Sequence, residues 1–261
     1  MSGDEGLLYG VDQGIATITL NRPERRNAIN VATANRLREL WDEIDADPAV
    51  RVVIVTSADC GTFSAGMDLK EAAEIRRERG VDVLDLVRDP FMERMRAVEK
   101  PLVAAMTGHF LAAGIMMAVN CDLRVGLAGT VGGITEVQRG RGSPWAVPML
   151  WMLPQAVFSE LALTGEPMSI ERLQGLGFIN YVEPTPDAVR ARASALAGRI
   201  RDNAPLSVGA AKASIKAAMA LGCDAGIAES KRLHVPVYAS EDAKEGPRAF
   251  AERRAPAWTG R

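Results

Sequence analysis

The sequence predicts an α/β fold, and three observations carry that expectation. Short runs rich in β-branched residues alternate with stretches whose apolar residues recur at helical spacing. Near the middle, GHFLAAGIMMAVNCD (Gly108 to Asp122) reads as a glycine-bearing turn feeding a helix that is apolar on every face from Ile115 to Val119, a pattern that belongs in a core. From Pro154 onward the chain reads almost entirely as helix. Its 261 residues suffice to bury a sizeable core, most simply as one domain.

In chain order, Leu7 to Val11 and Ile15 to Leu20 alternate around Asp12-Gln-Gly14 and predict a hairpin. NRPERRNAIN is a polar loop with Pro23 and three arginines, followed by an amphipathic helix from Val31 to Asp45 with Leu37, Leu40, Trp41 and Ile44 on one face. Asp47-Pro48 breaks it, and Val52 to Thr56 is an apolar strand. Glu71 to Gly80 is charged enough to be a solvated helix or loop. Asp82 to Glu99 reads as another amphipathic helix that Pro101 stops before the strand LVAAM at Leu102. Beyond the central helix lie a strand from Asp122 to Gly126 and the loop-rich stretch GTVGGITEVQRGRGSPW, with five glycines and one proline. Helices are then expected over Pro154 to Thr164, Ser169 to Gln174, Thr185 to Asp202, Ala204 to Leu221, Asp224 to Tyr238 and Ser240 to Arg254, with one short strand at Phe178 to Val182.

Composition narrows the function. The chain is 48% hydrophobic and 25% charged with a net charge of −2 and no basic block, which argues against nucleic acid. No apolar run approaches the ~20 residues that span a bilayer, and MSGDEG is unlike a secretory leader. Cys60, Cys121 and Cys223 are far apart and without metal-ligand spacing, so reduced thiols in a cytoplasmic protein and no metal site are expected.

Two stretches carry the chemistry. The first N–H groups of the buried helix have no partner inside it and favour developing negative charge. FSAGMDLKE (Phe63 to Glu71) has similar character: Ala65-Gly66 turn, and Asp68 with Glu71 makes a capping-box-like helix start. Two such entries could aim two N–H donors at one oxygen, an oxyanion hole in outline.

ITLNRPERRNAIN, FSAGMDLKE, the Gly108 to Asp122 stretch, ITEVQRG, LTGEPMS, GLGFINYV, APLSVGAAK and SEDAKEGPRAFAERRAPAW together resemble the crotonase superfamily, the enoyl-CoA hydratase/isomerase family, in order and approximate spacing. The resemblance implies a crotonase-like spiral of ββα repeats over residues 1–200. Residues 201–261 would then be a helical oligomerisation region of the same domain, building homotrimers or homohexamers. It further implies an acyl-CoA thioester substrate, with coenzyme A bound as part of that substrate and no permanent cofactor. By the same resemblance, the oxyanion donors are the N–H groups of Met67 and Ala113, the latter where members more often carry glycine. The CoA portion falls to Arg25, Arg26 and Ala28 of the first loop and to Ala65, Asp68 and Leu69 of the second, while Met116, Ser143 and Trp145 border the acyl pocket.

The proton next to a thioester carbonyl is weakly acidic until the enolate oxygen is stabilised, to which each well-placed donor contributes about 3 kcal/mol. Glu136 in ITEVQRG matches one of the family's two catalytic glutamates without a gap; taken alone it reads as a surface carboxylate in a loop. Between Ile134 and Trp145 its carboxylate is expected to lose water and to titrate high. The family's other glutamate is replaced by Met116, and the PGAGG segment that helps hold water is replaced by SPWAV, where Pro144 offers no N–H. One carboxylate suffices to move a proton between two carbons of one ligand, so the pattern resembles the family's isomerases. Hydration by Glu136 without the second glutamate, and a non-catalytic acyl-CoA binder, are the alternatives.

Plainer roles stand beside these. Asp68 reads first as a helix cap, His109 as a structural hydrogen-bonding group, and Met116 as core packing and pocket floor together. Arg22 accompanies Arg25 and Arg26, which could merely solvate their loop. Ser143 and Arg139 are open candidates for an auxiliary proton donor, and Lys212 and Arg253 read as solvated charges with phosphate contact as the second possibility. Val81 to Met95 and Trp145 to Met152 are the expected pocket wall.

Overall fold

The computed structural model describes residues 2–4 and 6–261. Strands β1 (Ser2–Asp4), β2 (Leu7–Asp12) and β3 (Ile15–Leu20) form an antiparallel edge, the last two being the expected hairpin with Gln13 and Gly14 at positive φ in its turn. Helix α1 (Val31–Ala46) begins where the Asn30 side chain accepts from the Thr33 N–H at 2.8 Å, and it buries Leu37, Leu40, Trp41 and Ile44.

The chain then repeats a unit: one strand for a large sheet, one for a small sheet, then a helical segment. The first unit is β4 (Val52–Ser57), β5 (Thr62–Ser64) and α2 (Leu69–Arg79), trailed by the short α3 (Glu93–Ala97). The second is β6 (Leu102–Met106), β7 (His109–Leu111) and α4 (Ala113–Asn120). The third is β8 (Leu123–Leu127), β9 (Val131–Gly133) and, after two 3-10 segments, α5 (Gln155–Thr164). Strand β10 (Met168–Ser169), helix α6 (Ile170–Gly175) and strand β11 (Tyr181–Glu183) complete the spiral. The large sheet has the order β1-β2-β3-β4-β6-β8-β11, parallel from β3 onward, and the small one β10-β9-β7-β5, parallel from β9 to β5.

Strand β4 is buried along its whole length because both faces of the large sheet are covered, which is why it reads as an unbroken apolar run. Val53 and Val55 join the main core with Phe63, Phe110, Ile115 and Trp41. Val52 and Ile54 instead face Val189, Ala193 and Ala197 of α7 (Pro186–Arg201). Helices α8 (Pro205–Leu221), α9 (Cys223–Ala239) and α10 (Glu241–Ala251) follow. Lys212 ties α8 to the spiral by bonding the Lys100 carbonyl at 2.8 Å and Asp122 Oδ2 at 2.7 Å.

Several expectations need correction. The helix expected from Asp82 to Glu99 is interrupted: a 3-10 turn spans Val83–Leu86 under an Asp82/Asp85 capping box, and α3 starts only after Met92, at φ 51°. Pro90 supplies no N–H to an uninterrupted helix, and the Asp89 carboxylate takes the Glu93 and Arg94 amides for a fresh start. The strand expected from Phe178 to Val182 is β11, shifted toward the C-terminus because the Phe178 N–H bonds back to Leu173 O at 2.9 Å, closing α6. Within the glycine-rich rim, Val131–Gly133 adds a strand that periodicity did not announce, since Gly132 leaves room for the Phe110 ring and Gly133 for Pro167.

Candidate active site

Three strands of the small sheet each lead into one piece of the candidate site. Strand β5 runs into Ala65-Gly66-Met67, β7 into Ala112-Ala113 and β9 into Thr135-Glu136. The three strands are adjacent and parallel, and such neighbours lie about 4.8 Å apart, so the segments leave the sheet side by side in one direction.

Gly66 has φ 92°, and a β-carbon added there would stand 2.6 Å from Ala112 Cβ and 3.2 Å from the Ala113 nitrogen. Only a glycine lets the two turns approach this closely. One added at Gly114 would stand 2.6 Å from the Ser64 carbonyl oxygen, so α4 begins pressed against the end of β5. The amides flanking Met67 are occupied: Ile29 N–H donates to Gly66 O at 2.8 Å and Asp68 N–H to Ile29 O at 2.9 Å, while no described backbone acceptor takes the Met67 N–H. Ala113 opens α4, where an N–H has no intrahelical acceptor. The structure therefore holds two uncommitted main-chain donors on neighbouring turns. The strained alanine is Ala112 rather than Ala113: it has φ 49° and ψ −116°, whereas Ala113 is helical.

Glu136 opens the 3-10 turn Glu136–Arg139, and its carbonyl accepts the Arg141 N–H at 3.0 Å. Its Oε2 is buried with no hydrogen-bond partner among the described residues. Burial pushes its carboxyl above the ordinary glutamate range, against the opposing pull of hydrogen bonds from its own backbone N–H and the Trp145 side chain. Sequence reasoning set Trp145 beside Glu136 as an apolar wall; that its indole N–H also favours the charged carboxylate depends on how the 3-10 segment Pro144–Trp151 folds back. Met116 is buried on α4 in the same apolar cluster as Ile134 and Trp145, and Ser143 is half-buried at the start of that 3-10 segment.

The residues expected to hold CoA gather around the first two loops. Asp68 Oδ1 caps α2 by accepting the Lys70 and Glu71 N–H groups at 3.2 and 3.3 Å, and its Oδ2 pairs with Arg22 at 2.9 Å. Although burial opposes it, hydrogen bonds from Arg22 and the Glu71 amide, helped by the nearby Arg25 charge, hold the Asp68 carboxyl below its usual range. The expected capping box is only half formed, because Glu71 turns away and accepts the Val31 N–H at 2.9 Å at the head of α1. Arg22 is thus a strut, whose other nitrogen bonds the buried Ala28 carbonyl at 2.7 Å. Arg25, Arg26 and Leu69 are exposed, and the half-buried Ala65 donates its N–H to Arg26 O at 3.1 Å. His109 Nδ1 accepts the Val131 N–H at 3.1 Å, a structural tie between β7 and β9. Arg139 and Arg253 are exposed, and Lys212 is buried in its pair with Asp122. Asn27 and Ser64, which nothing in the sequence singled out, are buried beneath the Gly66 turn.

Two main-chain amides without a described acceptor and a carboxylate with one oxygen shielded from water, set on the exits of three adjacent strands, are the parts that a site for polarising a carbonyl and moving a proton next to it requires. The chain belongs to the enoyl-CoA hydratase/isomerase family, whose model matches residues 10–261, and it is an enzyme of that family acting on acyl-CoA. It is 34% identical to (E)-benzylidenesuccinyl-CoA hydratase of Thauera aromatica over 256 residues, covering 96% of this chain and 97% of that protein. Among solved structures it resembles an enoyl-CoA hydratase from Mycobacterium tuberculosis H37Rv at 37% identity and a TM-score of 0.86, covering 99% of this chain and 100% of the other. An enoyl-CoA hydratase from Bacillus anthracis gives a TM-score of 0.91 at 26% identity, with 98% and 100% covered. The crotonase-like spiral expected from the sequence is the observed fold. Among the described residues no helix is long and apolar enough to cross a membrane.

Proposed function

We propose that this enzyme relocates the double bond of an enoyl-CoA, with Glu136 as the sole proton carrier and the Met67 and Ala113 N–H groups holding the thioester oxygen. The observation that carries the reading is the half-buried Glu136 carboxylate, which titrates high and has its Oε2 shielded from solvent and unpartnered, while Met116 offers no second acid. Oε2 takes a proton from the α carbon of a 3-enoyl thioester and the electron pair moves into a dienolate. The two amides stabilise the oxygen, and the same oxygen of Glu136 returns the proton at the γ carbon to give the 2-enoyl product. Arg25, Arg26, Ala28, Ala65, Asp68 and Leu69 would receive the CoA portion, and Met116, Ser143 and Trp145 the acyl end.

Hydration by Glu136 alone is the second reading, favoured by the hydratase names of the relatives. Incubation with 2-enoyl-CoA and 3-enoyl-CoA in heavy water, followed by mass spectrometry, separates the two. Double-bond migration with no water adduct is the expected result; efficient water addition without migration overturns it. The helices of 201–261 fit a self-association region, and homotrimers or their hexameric pairs are the proposed assembly.

A further inference from the structure

We propose that Ser64 is a positioning residue for the thioester-gripping amide of Met67, acting through a buried hydroxyl that locks the Gly66 turn. The inference rests on the reading that Met67 and Ala113 form the oxyanion hole. Ser64 is completely buried. Its Oγ donates to the Asn27 carbonyl at 2.9 Å and accepts the Gly66 N–H at 3.2 Å. The hydroxyl is thereby committed in both directions, as a buried hydroxyl must be to avoid a desolvation cost.

The Asn27 carbonyl is itself fixed. Asn27 sits at φ 51°, buried, with Nδ2 donating to Ala58 O at 2.9 Å and Thr62 O at 2.8 Å, and Oδ1 accepting the Arg22 N–H at 3.1 Å. Ser64 therefore transmits the position of a rigid loop to the peptide entering Gly66. The next peptide, between Gly66 and Met67, is held from the other side because its carbonyl accepts the Ile29 N–H at 2.8 Å. In a planar trans peptide the C=O and N–H point opposite ways, so that grip aims the Met67 N–H away from Ile29. Glycine at φ 92° is the freest link in the chain here, and Ser64 is the side chain that removes its freedom.

The test reads polarisation of a bound carbonyl rather than turnover, so it is independent of whether the reaction is isomerisation or hydration. Butyryl-CoA labelled with ¹³C at the thioester carbonyl is bound at saturation to the wild-type protein, and its stretching frequency is compared with the free ligand by difference infrared spectroscopy. The expected result is a shift to lower frequency that at least halves in Ser64→Ala, with the dissociation constant changed less than three-fold. Ser64→Cys, which preserves volume and offers a weaker partner, is expected to fall between the two and gives the same reading if the alanine variant folds poorly. A shift in Ser64→Ala equal to wild type overturns the positioning role while leaving the oxyanion reading intact. No shift in the wild type overturns the oxyanion reading and the Ser64 proposal with it.

Discussion

Glu136 is loaded by its surroundings rather than by a charged neighbour. Because burial raises its carboxyl, the rate on any accepted thioester is expected to rise with pH through a midpoint above the ordinary glutamate range, and Glu136→Gln to lower it by about 10²–10⁴-fold. The same shift has a consequence for stability. A carboxyl whose folded value is raised favours the fold below its unfolded pKa and loses that contribution as pH rises, so Glu136→Gln is expected to melt higher than wild type near neutrality. In thermal melts the gap should close below about pH 4. Trp145→Phe keeps an aromatic wall but removes the indole N–H that favours the charged form, so the acid limb of the pH–rate profile should move further upward. Met67 and Glu136 were reachable as candidates only through the family resemblance of their motifs, because Glu136 by itself reads as a loop carboxylate. The second role of Trp145 was not, because it exists only once Pro144–Trp151 folds against the Glu136 turn.

At the scale of elements, the entry to α4 stores strain. A non-glycine residue at φ 49° and ψ −116° costs about 1–3 kcal/mol, whereas replacing alanine by glycine elsewhere usually destabilises through the unfolded chain by under about 1 kcal/mol. Ala112→Gly is therefore expected to hold or raise stability in urea titration, by up to about 2 kcal/mol. A clear loss would mean that the alanine methyl, packed at Gly66, contributes more than its backbone costs. Most elements were legible because period and breakers agree: α1 shows its apolar stripe and its Asp47-Pro48 stop, β4 its unbroken apolar run. The 82–99 stretch misled because amphipathic spacing persists across Pro90 while the backbone cannot follow it. Strand β9, built on glycines, carries no apolar signal of its own and forms because β7 and β10 pair with it on either side.

At the scale of the molecule, the C-terminal helices present large apolar side chains to solvent: Ile215 at 65%, Val235 at 63%, Tyr238 at 78% and Phe250 at 86% exposure. Exposed apolar side chains of this kind are what the proposed self-association would cover. Sedimentation velocity is expected to find an oligomer in which the double variant Tyr238→Asp, Phe250→Asp shifts mass toward the monomer; an unchanged distribution would place the contact elsewhere. The arrangement of the small sheet has a last consequence. The two groups proposed to hold the thioester belong to the main chain, so sequence drift at positions 67 and 113 cannot delete them short of proline. The acid is a single side chain on the third strand's exit. On that proposal, point changes at this exit would alter the proton transfer while leaving the main-chain hold on the carbonyl in place.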